Sequence, residues 1–295
     1  MPQFRLVLLT SITMIAFAGN SLLCRLALQH TTIDAATFTT VRLLSGALTL
    51  FVVTALHRHD RPNGGNWLSA LALFVYAAAF SFAYLSLPAG TGALLLFCAV
   101  QTTMIGHGIA TGERLHRWQL AGLFLALGGM VWLFLPGVVA PPFVGSVLMI
   151  SAGIAWGIYS LRGKGRGDPT LVTAGNFLRA VPIAVGVSVW LYRQASFDRH
   201  GLSYAIASGA LTSALGYVCW YTVLPSVSAT KAATVQLSVP IIAALGGIAF
   251  LHEAFTLHLA LAALAILGGI ALVVLMKPKA GVAGDGAEHS PKAEH

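Results

Sequence analysis

The sequence predicts an all-α integral membrane protein: ten transmembrane helices forming a 5+5 inverted repeat, with both termini in the cytoplasm. Three observations carry that prediction. First, hydrophobic residues make up 57% of the 295 positions, and Asp, Glu, Lys and Arg only 9%, against about 25% charged in ordinary soluble domains. Such a chain cannot cover a water-facing surface, and its mean hydropathy of +0.81 fits lipid as the solvent. Second, apolar runs long enough to cross a hydrocarbon layer of about 30 Å recur along the whole chain. Third, the chain repeats itself. Residues 112–135 (GERLHRWQLAGLFLALGGMVWLFL) align without gaps on residues 252–275 (HEAFTLHLALAALAILGGIALVVL), so Glu113 falls on Glu253 and Gly128-Gly129 on Gly268-Gly269. A repeat of this length marks a duplicated unit.

Taken in order, the spans fall at about 4–28, 34–56, 67–86, 90–111, 117–135, 142–162, 170–192, 201–224, 228–250 and 256–276. The first run is long enough to span and is followed by no processing site, so it reads as a helix rather than a cleaved signal. Short linkers rich in turn residues separate the spans, among them Arg61-Pro62-Asn63-Gly64-Gly65 and Pro136-Gly137. Residues 1–138 form the first five-helix unit and 139–276 the second. The remainder, 277–295, is Gly-, Ala- and charge-rich without periodicity and reads as a disordered cytoplasmic tail.

Basic residues orient the chain. With the N-terminus inside, cytoplasmic segments hold Arg5, Arg58, Arg61, Arg114, Arg117, Arg162, Lys164, Arg166, Lys231, Lys277, Lys279 and Lys292, while the other side holds Arg25, Arg193 and Arg199. Trp67, Trp118, Trp132 and Trp190 fall near span ends, where amphipathic rings favour the headgroup layer. Five spans per copy is an odd number, so the two copies run through the membrane in opposite directions. Further matches support the duplication: Tyr84-Leu85-Ser86-Leu87-Pro88 with Tyr221-Thr222-Val223-Leu224-Pro225, Ile15-Ala16-Phe17 with Ile154-Ala155-Trp156, and Arg42 with Arg179.

The net charge of +8 raises the question of nucleic acid. The basic residues are scattered over many short loops with no patch to track a phosphate backbone, so no nucleic-acid partner is expected. Cys24, Cys98 and Cys219 sit inside apolar runs with no ligand spacing, which argues against a metal site or a structural disulfide. All nine acids, Asp34, Asp60, Glu113, Asp168, Asp198, Glu253, Asp285, Glu288 and Glu294, lie in loops, at helix ends or in the tail. The bilayer centre therefore lacks the carboxylate that proton relays and cation carriers use. His107 could titrate there, although a lone intramembrane His is more often a packing residue. GxSxG, HExxH and a Walker A motif are all missing, so an enzyme reading is poor and no cofactor is expected.

The doubled pattern of LP, small residues, a long apolar helix, GE, and a helix with GG resembles the EamA family of the drug/metabolite transporter superfamily, over residues 4 to 276. It is most similar to the YddG-type bacterial amino-acid exporters. The resemblance implies a bacterial inner-membrane protein with a central cavity lined by helices 1, 3, 4, 6, 8 and 9, and with helices 5 and 10 peripheral. One departure is Pro240, expected mid-helix in the second copy where the first has Val100-Gln101.

On those helices the candidate substrate-binding residues are Asn20, Phe80, Tyr84, Gln101, Trp156, Tyr159, Tyr217, Trp220 and Gln236. Buried indole N–H and phenol O–H groups need partners, which an amphipathic ligand would supply, although plain helix packing leaves the same pattern. Arg42 and Arg179 are the basic residues well inside spans. Either could grip a substrate carboxylate or clamp backbone carbonyls, and clamping is favoured because helices 2 and 7 are not main cavity helices in the family. Glu113 and Glu253 could act as gate or coupling charges, but read more simply as capping carboxylates for the helices that follow them. Lys231 is either a substrate attractor or a topology marker. Pro88 and Pro225 shape tight turns between helices.

The expected function is outward secondary transport of small metabolites, most of all neutral or aromatic amino acids, by alternating access and without a visible coupling ion. A broad-specificity, proton-coupled drug or metabolite exporter is the alternative, and an integral-membrane enzyme a distant third. Small-molecule substrate and lipid bilayer are the expected partners, with monomer and homodimer both open.

Overall fold

The computed structural model describes residues 2–56, 64–112, 116–134, 141–163, 168–223, 226, 235–254 and 256–275. Glu113, Lys231, Pro225 and the tail from Lys277 lie outside them. Among the described residues the chain is helical, without strands. We label its helices α1 (Gln3–His30), α2 (Ala35–Leu56), α3 (Trp67–Ala83), α4 (Ala89–Ala110), α5 (Arg117–Phe134), α6 (Phe143–Gly163), α7 (Pro169–Trp190), α8 (Arg199–Val223), α9 (Ser238–Leu251) and α10 (Leu257–Leu275). The long apolar helices capable of crossing a membrane are α1, α2, α4, α6, Thr170–Trp190 of α7, and α8; α3, α9 and Leu257–Val273 of α10 are shorter apolar helices. Many large apolar side chains stay exposed, including Phe51, Phe124, Val144 and Leu264. An outside that is as apolar as the inside is what lipid requires and water forbids.

The acids mostly do capping work. The Asp34 carboxylate accepts from Ala36 N and Thr37 N at 2.9 Å each, starting α2. Asp198 accepts from Gly201 N at 3.1 Å to start α8, and Asp168 from Thr170 N at 2.7 Å to start α7. Each satisfies a first-turn N–H that has no partner within the helix. Glu253 departs from expectation. Its carboxylate caps α4, not the α10 that follows it: Oε1 and Oε2 accept from Ala89 N at 3.0 and 2.8 Å. Thr256 caps α10 instead, its Oγ1 accepting from Leu259 N. Pro88, which precedes α4, makes no side-chain cap of its own, so the Glu253 carboxylate fills that place.

Helices α1 and α8 pack together, as do α6 and α3; α1 meets α9, and α6 meets α4; α2 meets α8, and α7 meets α3. Each of these pairs becomes its fellow when every helix is replaced by its counterpart five places along. Two further contacts, α2 with α7 and α5 with α10, join counterparts directly. The repeated GG doublets explain the last. A Cβ on Gly129 would collide with Ala265 and Ile266, and one on Gly269 with Gly122 and Ala126, whereas Gly128 and Gly268 have open space. Small residues let the two backbones approach. The GE and HE dipeptides open alike: Gly112 has φ +97° and His252 φ +52°, each left-handed just past the end of α4 or α9.

Pro240 accompanies a helix break, as expected, but sits near a helix start and not in mid-helix. Residues 235–236 are helical, the chain turns at Leu237, and α9 resumes at Ser238, so Pro240 sits on its third residue. Lacking an N–H for the Gln236 carbonyl, the proline is consistent with that interruption.

Candidate functional site

The central helices meet around an aromatic cluster. Trp156 of α6 is its hub, with ring centroids 4.8 Å from Tyr76, 4.9 Å from Tyr217, 5.6 Å from Tyr159 and 6.2 Å from Phe17. Tilted and edge-on rings of this kind each add about 0.5–1.5 kcal/mol beyond area burial. They enclose a cavity of about 20 Å³, room for roughly one water. Helix α1 lends it Phe17 and Asn20, α3 Tyr76 and Phe80, and α4 Leu96 and Phe97. Trp156 of α6 and Thr212 and Tyr217 of α8 close it. That is far below the roughly 300–1,000 Å³ of ordinary ligand pockets. As it stands the cavity is too small to hold a metabolite-sized molecule.

Polar groups on the wall are joined to one another. Asn20 Nδ2 donates to Tyr76 Oη (3.3 Å), and Asn20 Oδ1 accepts from Ser208 Oγ (2.7 Å) and Thr212 Oγ1 (3.3 Å). Residues Ser208–Leu215 form a π-helical stretch inside α8. The wider turn brings Ser208, Thr212 and Ser213 toward α1 and α2, and such stretches recur at functional sites. Here α8 also lies hard against α2. A Cβ on Gly209 would strike Ser45 and the Arg42 backbone, and one on Gly46 would crowd the Gly209 carbonyl as well as the Phe177 ring of α7.

Arg42 is the cluster's one charge. Its side chain is 1% exposed, and its guanidinium lies 5.2 Å from the Tyr76 ring centroid and 5.0 Å from that of Phe80. Nε donates to Ser213 Oγ and Nη2 to Tyr76 Oη, both at 3.1 Å. Among the described residues Nη1 finds no hydrogen-bond partner, and neither do Tyr217 Oη and Gln101 Nε2. Arg42 is therefore no clamp on backbone carbonyls. Arg179 is: its Nη1 donates to Gly64 O at 2.8 Å and Gly175 O at 2.9 Å.

Of the nine predicted residues, Asn20, Phe80, Trp156 and Tyr217 line the cavity. Tyr159 and Trp220 form a second layer, on Trp156 and Phe17. Tyr84 packs edge-on against Phe80, with its hydroxyl 3.3 Å from the Ala89 carbonyl. Gln101 and Gln236 are buried but do not line the cavity. Sequence reasoning missed Phe17, Tyr76, Leu96, Phe97 and Thr212, and left Arg42 open between a substrate carboxylate and backbone carbonyls, where the structure gives it the Ser213 and Tyr76 hydroxyls. Tyr76 was findable, because it stands one and two helical turns before Phe80 and Tyr84. His107 lies exposed near the end of α4, away from the centre.

At the end of the bundle where α1 stops and α4 begins, the side chains form a lock. Arg25 Nε pairs with Glu253 Oε1 at 3.2 Å, and Arg25 Nη1 donates to Tyr84 O at 2.9 Å. Glu253 thus binds α1 to the α4 N-terminus, and Gln29 adds a hydrogen bond to Leu85 O. Nearby, the α1–α2 loop is stitched to the α7–α8 loop. Asp34 Oδ2 accepts from Ser196 N at 3.0 Å, and Ser196 Oγ donates to Thr32 O at 2.6 Å. Burial alone would raise the Asp34 carboxyl's pKa, but its hydrogen bonds to Thr37, Ser196 and Ala36 outweigh that and hold it below its ordinary value.

Comparison with known proteins agrees with this architecture. The profile of the EamA-like transporter family matches twice, at residues 5–135 and 143–275. An uncharacterized protein of Pseudomonas aeruginosa is 55% identical over 254 residues, 86% of this chain and 88% of that one. An uncharacterized transporter of Archaeoglobus fulgidus is 26% identical over 260 residues, 83% and 89% of the two chains. The uncharacterized transporter YoaV of Bacillus subtilis is 23% identical over 236 residues, 75% of this chain and 80% of that one. One solved crystal structure, 19% identical, superposes with a TM-score of 0.63 over 90% of this chain and 98% of its own, a likeness of fold. With two matches that together span nearly all of its helices, the chain is a multi-pass membrane protein and belongs to the EamA-like transporter family.

Proposed function

We propose that this transporter exports small zwitterionic metabolites, above all amino acids with neutral or aromatic side chains. It works by alternating access around the Trp156 cluster. Its two five-helix units, 1–138 and 139–276, form an inverted repeat of ten crossings in a bacterial inner membrane, with both termini cytoplasmic. The observation that carries this reading is the composition of the centre: aromatic faces for an apolar side chain, with Asn20, Thr212 and Tyr217 as neutral polar contacts. A sugar phosphate would want several cationic groups there, and a cationic drug would want a carboxylate. The doubled family match and the paired helix contacts support the repeat.

The small cavity and the Arg25–Glu253 lock fit a carrier closed over its centre and sealed at the Arg25 end, which the basic-residue bias assigns to the external side. All nine acids lie outside the span centres, so the cycle runs on the substrate's own gradient, without a proton relay. The test is counterflow in liposomes preloaded with one unlabelled amino acid, with labelled amino acids, cationic dyes and sugar phosphates offered outside. Saturable counterflow of neutral and aromatic amino acids without a pH gradient is expected. Flux of dyes or sugar phosphates alone would overturn the substrate assignment, and a strict need for a pH gradient would overturn the facilitative cycle.

A further inference from the structure

Arg42 poses an energetic problem that packing does not answer. A guanidinium keeps its proton at every accessible pH, so it cannot escape burial by neutralising. Removing it from water costs several kcal/mol unless counter-charge and hydrogen bonds offset that. Here two donors are used, on Ser213 and Tyr76, and two rings lie close to its guanidinium. No carboxylate among the described residues pairs with it, because their ion pair is Arg25–Glu253. One edge of the fork, at Nη1, has no acceptor, and Tyr217 Oη, on the cavity wall, likewise has no hydrogen-bond partner. Tyr217 lines the cavity and Arg42 stands behind its wall, joined to it through Tyr76, so two buried donors in this cluster are short of an acceptor.

We propose that Arg42 and Tyr217 together hold the carboxylate of the transported molecule. One oxygen takes Arg42 Nη1 and the other the Tyr217 hydroxyl, while Tyr76 stays on Nη2. The anion supplies the charge that the centre lacks, and the rings of Phe17, Phe80 and Trp156 take the apolar remainder. A carboxylate suits the planar fork, and its strength as an acceptor matches donors that are desolvated and unshared. A molecule without the carboxylate would leave both donors unpaired. That rejects it more sharply than a change of apolar side chain would. This inference rests on the amino-acid reading for its cargo but not for its chemistry, since any small carboxylate would use the same anchor.

The experiment measures how well phenylalanine, 3-phenylpropionate, phenethylamine and phenylalaninamide compete for binding to the reconstituted full chain, and whether labelled phenylalanine undergoes counterflow. In the wild type, the two carboxylates should compete at least about tenfold better than the amine and the amide. Arg42→Gln should bring that ratio to within about threefold, Arg42→Lys should keep part of it, and Arg179→Gln should leave it whole. The ratio is read within each preparation, so partly inactive protein does not shift it. Should Arg42→Gln fail to fold, Tyr217→Phe removes the second donor with little change of shape and should lower the ratio by itself. Wild-type competition by 3-phenylpropionate without phenylalanine counterflow would sink the amino-acid reading and leave the anchor standing. A wild type that takes phenylalaninamide as well as phenylalanine, or competes with none of the four, would overturn the anchor. So would an Arg42→Gln variant with an undiminished ratio.

Discussion

Arg42 on α2 and Arg179 on α7 hold matching places in the two copies of the repeat, and α2 and α7 pack against each other. Their surroundings differ. Arg179 lies beside the Gly64-Gly65 turn, which runs so close to α7 that a Cβ on Gly175 would strike the Gly64 carbonyl. Gly65 has φ +79°, a left-handed conformation suited to glycine, and the Gly64 carbonyl of the same turn accepts from the guanidinium. Arg42 faces the π-helical stretch of α8 and the rings of α3, where hydroxyls and aromatic faces are all that is offered. One arginine is spent on holding two segments together, and the other keeps a donor in reserve at the centre. Position within a repeat therefore does not set a residue's role; the backbone that happens to lie opposite does.

The sharpest way to break this comparison, apart from removing Arg42, is to disturb what positions it. Gly209→Ala inserts a methyl group against the Arg42 backbone and should cost about 1–3 kcal/mol, as overpacking does. Thermal unfolding in detergent would record that loss, and the carboxylate-to-amine ratio of the surviving protein should fall with it. Arg179→Gln should cost about 1–2 kcal/mol through its lost charge-assisted bonds, with transport kinetics near wild type; a lost preference for carboxylates would mean the two arginines are not divided as described. The GG doublets offer a smaller contrast. Gly129→Ala meets Ala265 and Ile266 and should lower the melting temperature, whereas Gly128→Ala has open space and should raise stability by up to about 1 kcal/mol.

The smallest effect concerns pH. The Asp34 pKa is held below its ordinary 3.8 by hydrogen bonds across the loops. Its contribution is therefore fully present above about pH 4 and is lost as pH falls through the lower folded value. Unfolding followed between pH 6 and pH 3 should show a decline at the acid end that Asp34→Asn flattens.

Much of the fold was legible in the sequence because lipid leaves few choices: apolar length gives a helix, and turn residues give its ends. Helix α2 begins and ends within a residue of expectation, at Ala35 and Leu56. The GG and GE repeats were legible as motifs, although which glycine of each doublet meets the partner helix was not. The site was less legible for a physical reason. On a helix bathed in lipid the outward face is as apolar as the inward one, so periodicity cannot tell Phe17 at the centre from Phe51 outside. Polar residues escape that degeneracy, and Asn20 accordingly stood out. Ser208, Thr212 and Ser213 stayed hidden because the π-helical stretch rotates the face they share away from the ordinary period. Arg42 was visible as a charge inside a span, but its neighbours come from α3 and α8, beyond the reach of any local pattern.

Cargo bound against Trp156 would be seen by that indole itself. A variant in which Trp67, Trp118, Trp132, Trp190 and Trp220 are replaced by phenylalanine keeps Trp156 as its one indole. Titrating it with leucine, which does not fluoresce, would read that site alone. A saturable change in emission is expected at concentrations that also support leucine counterflow, with its loss in Arg42→Gln. Undiminished counterflow with no change in Trp156 emission would place the transport path away from the Trp156 cluster.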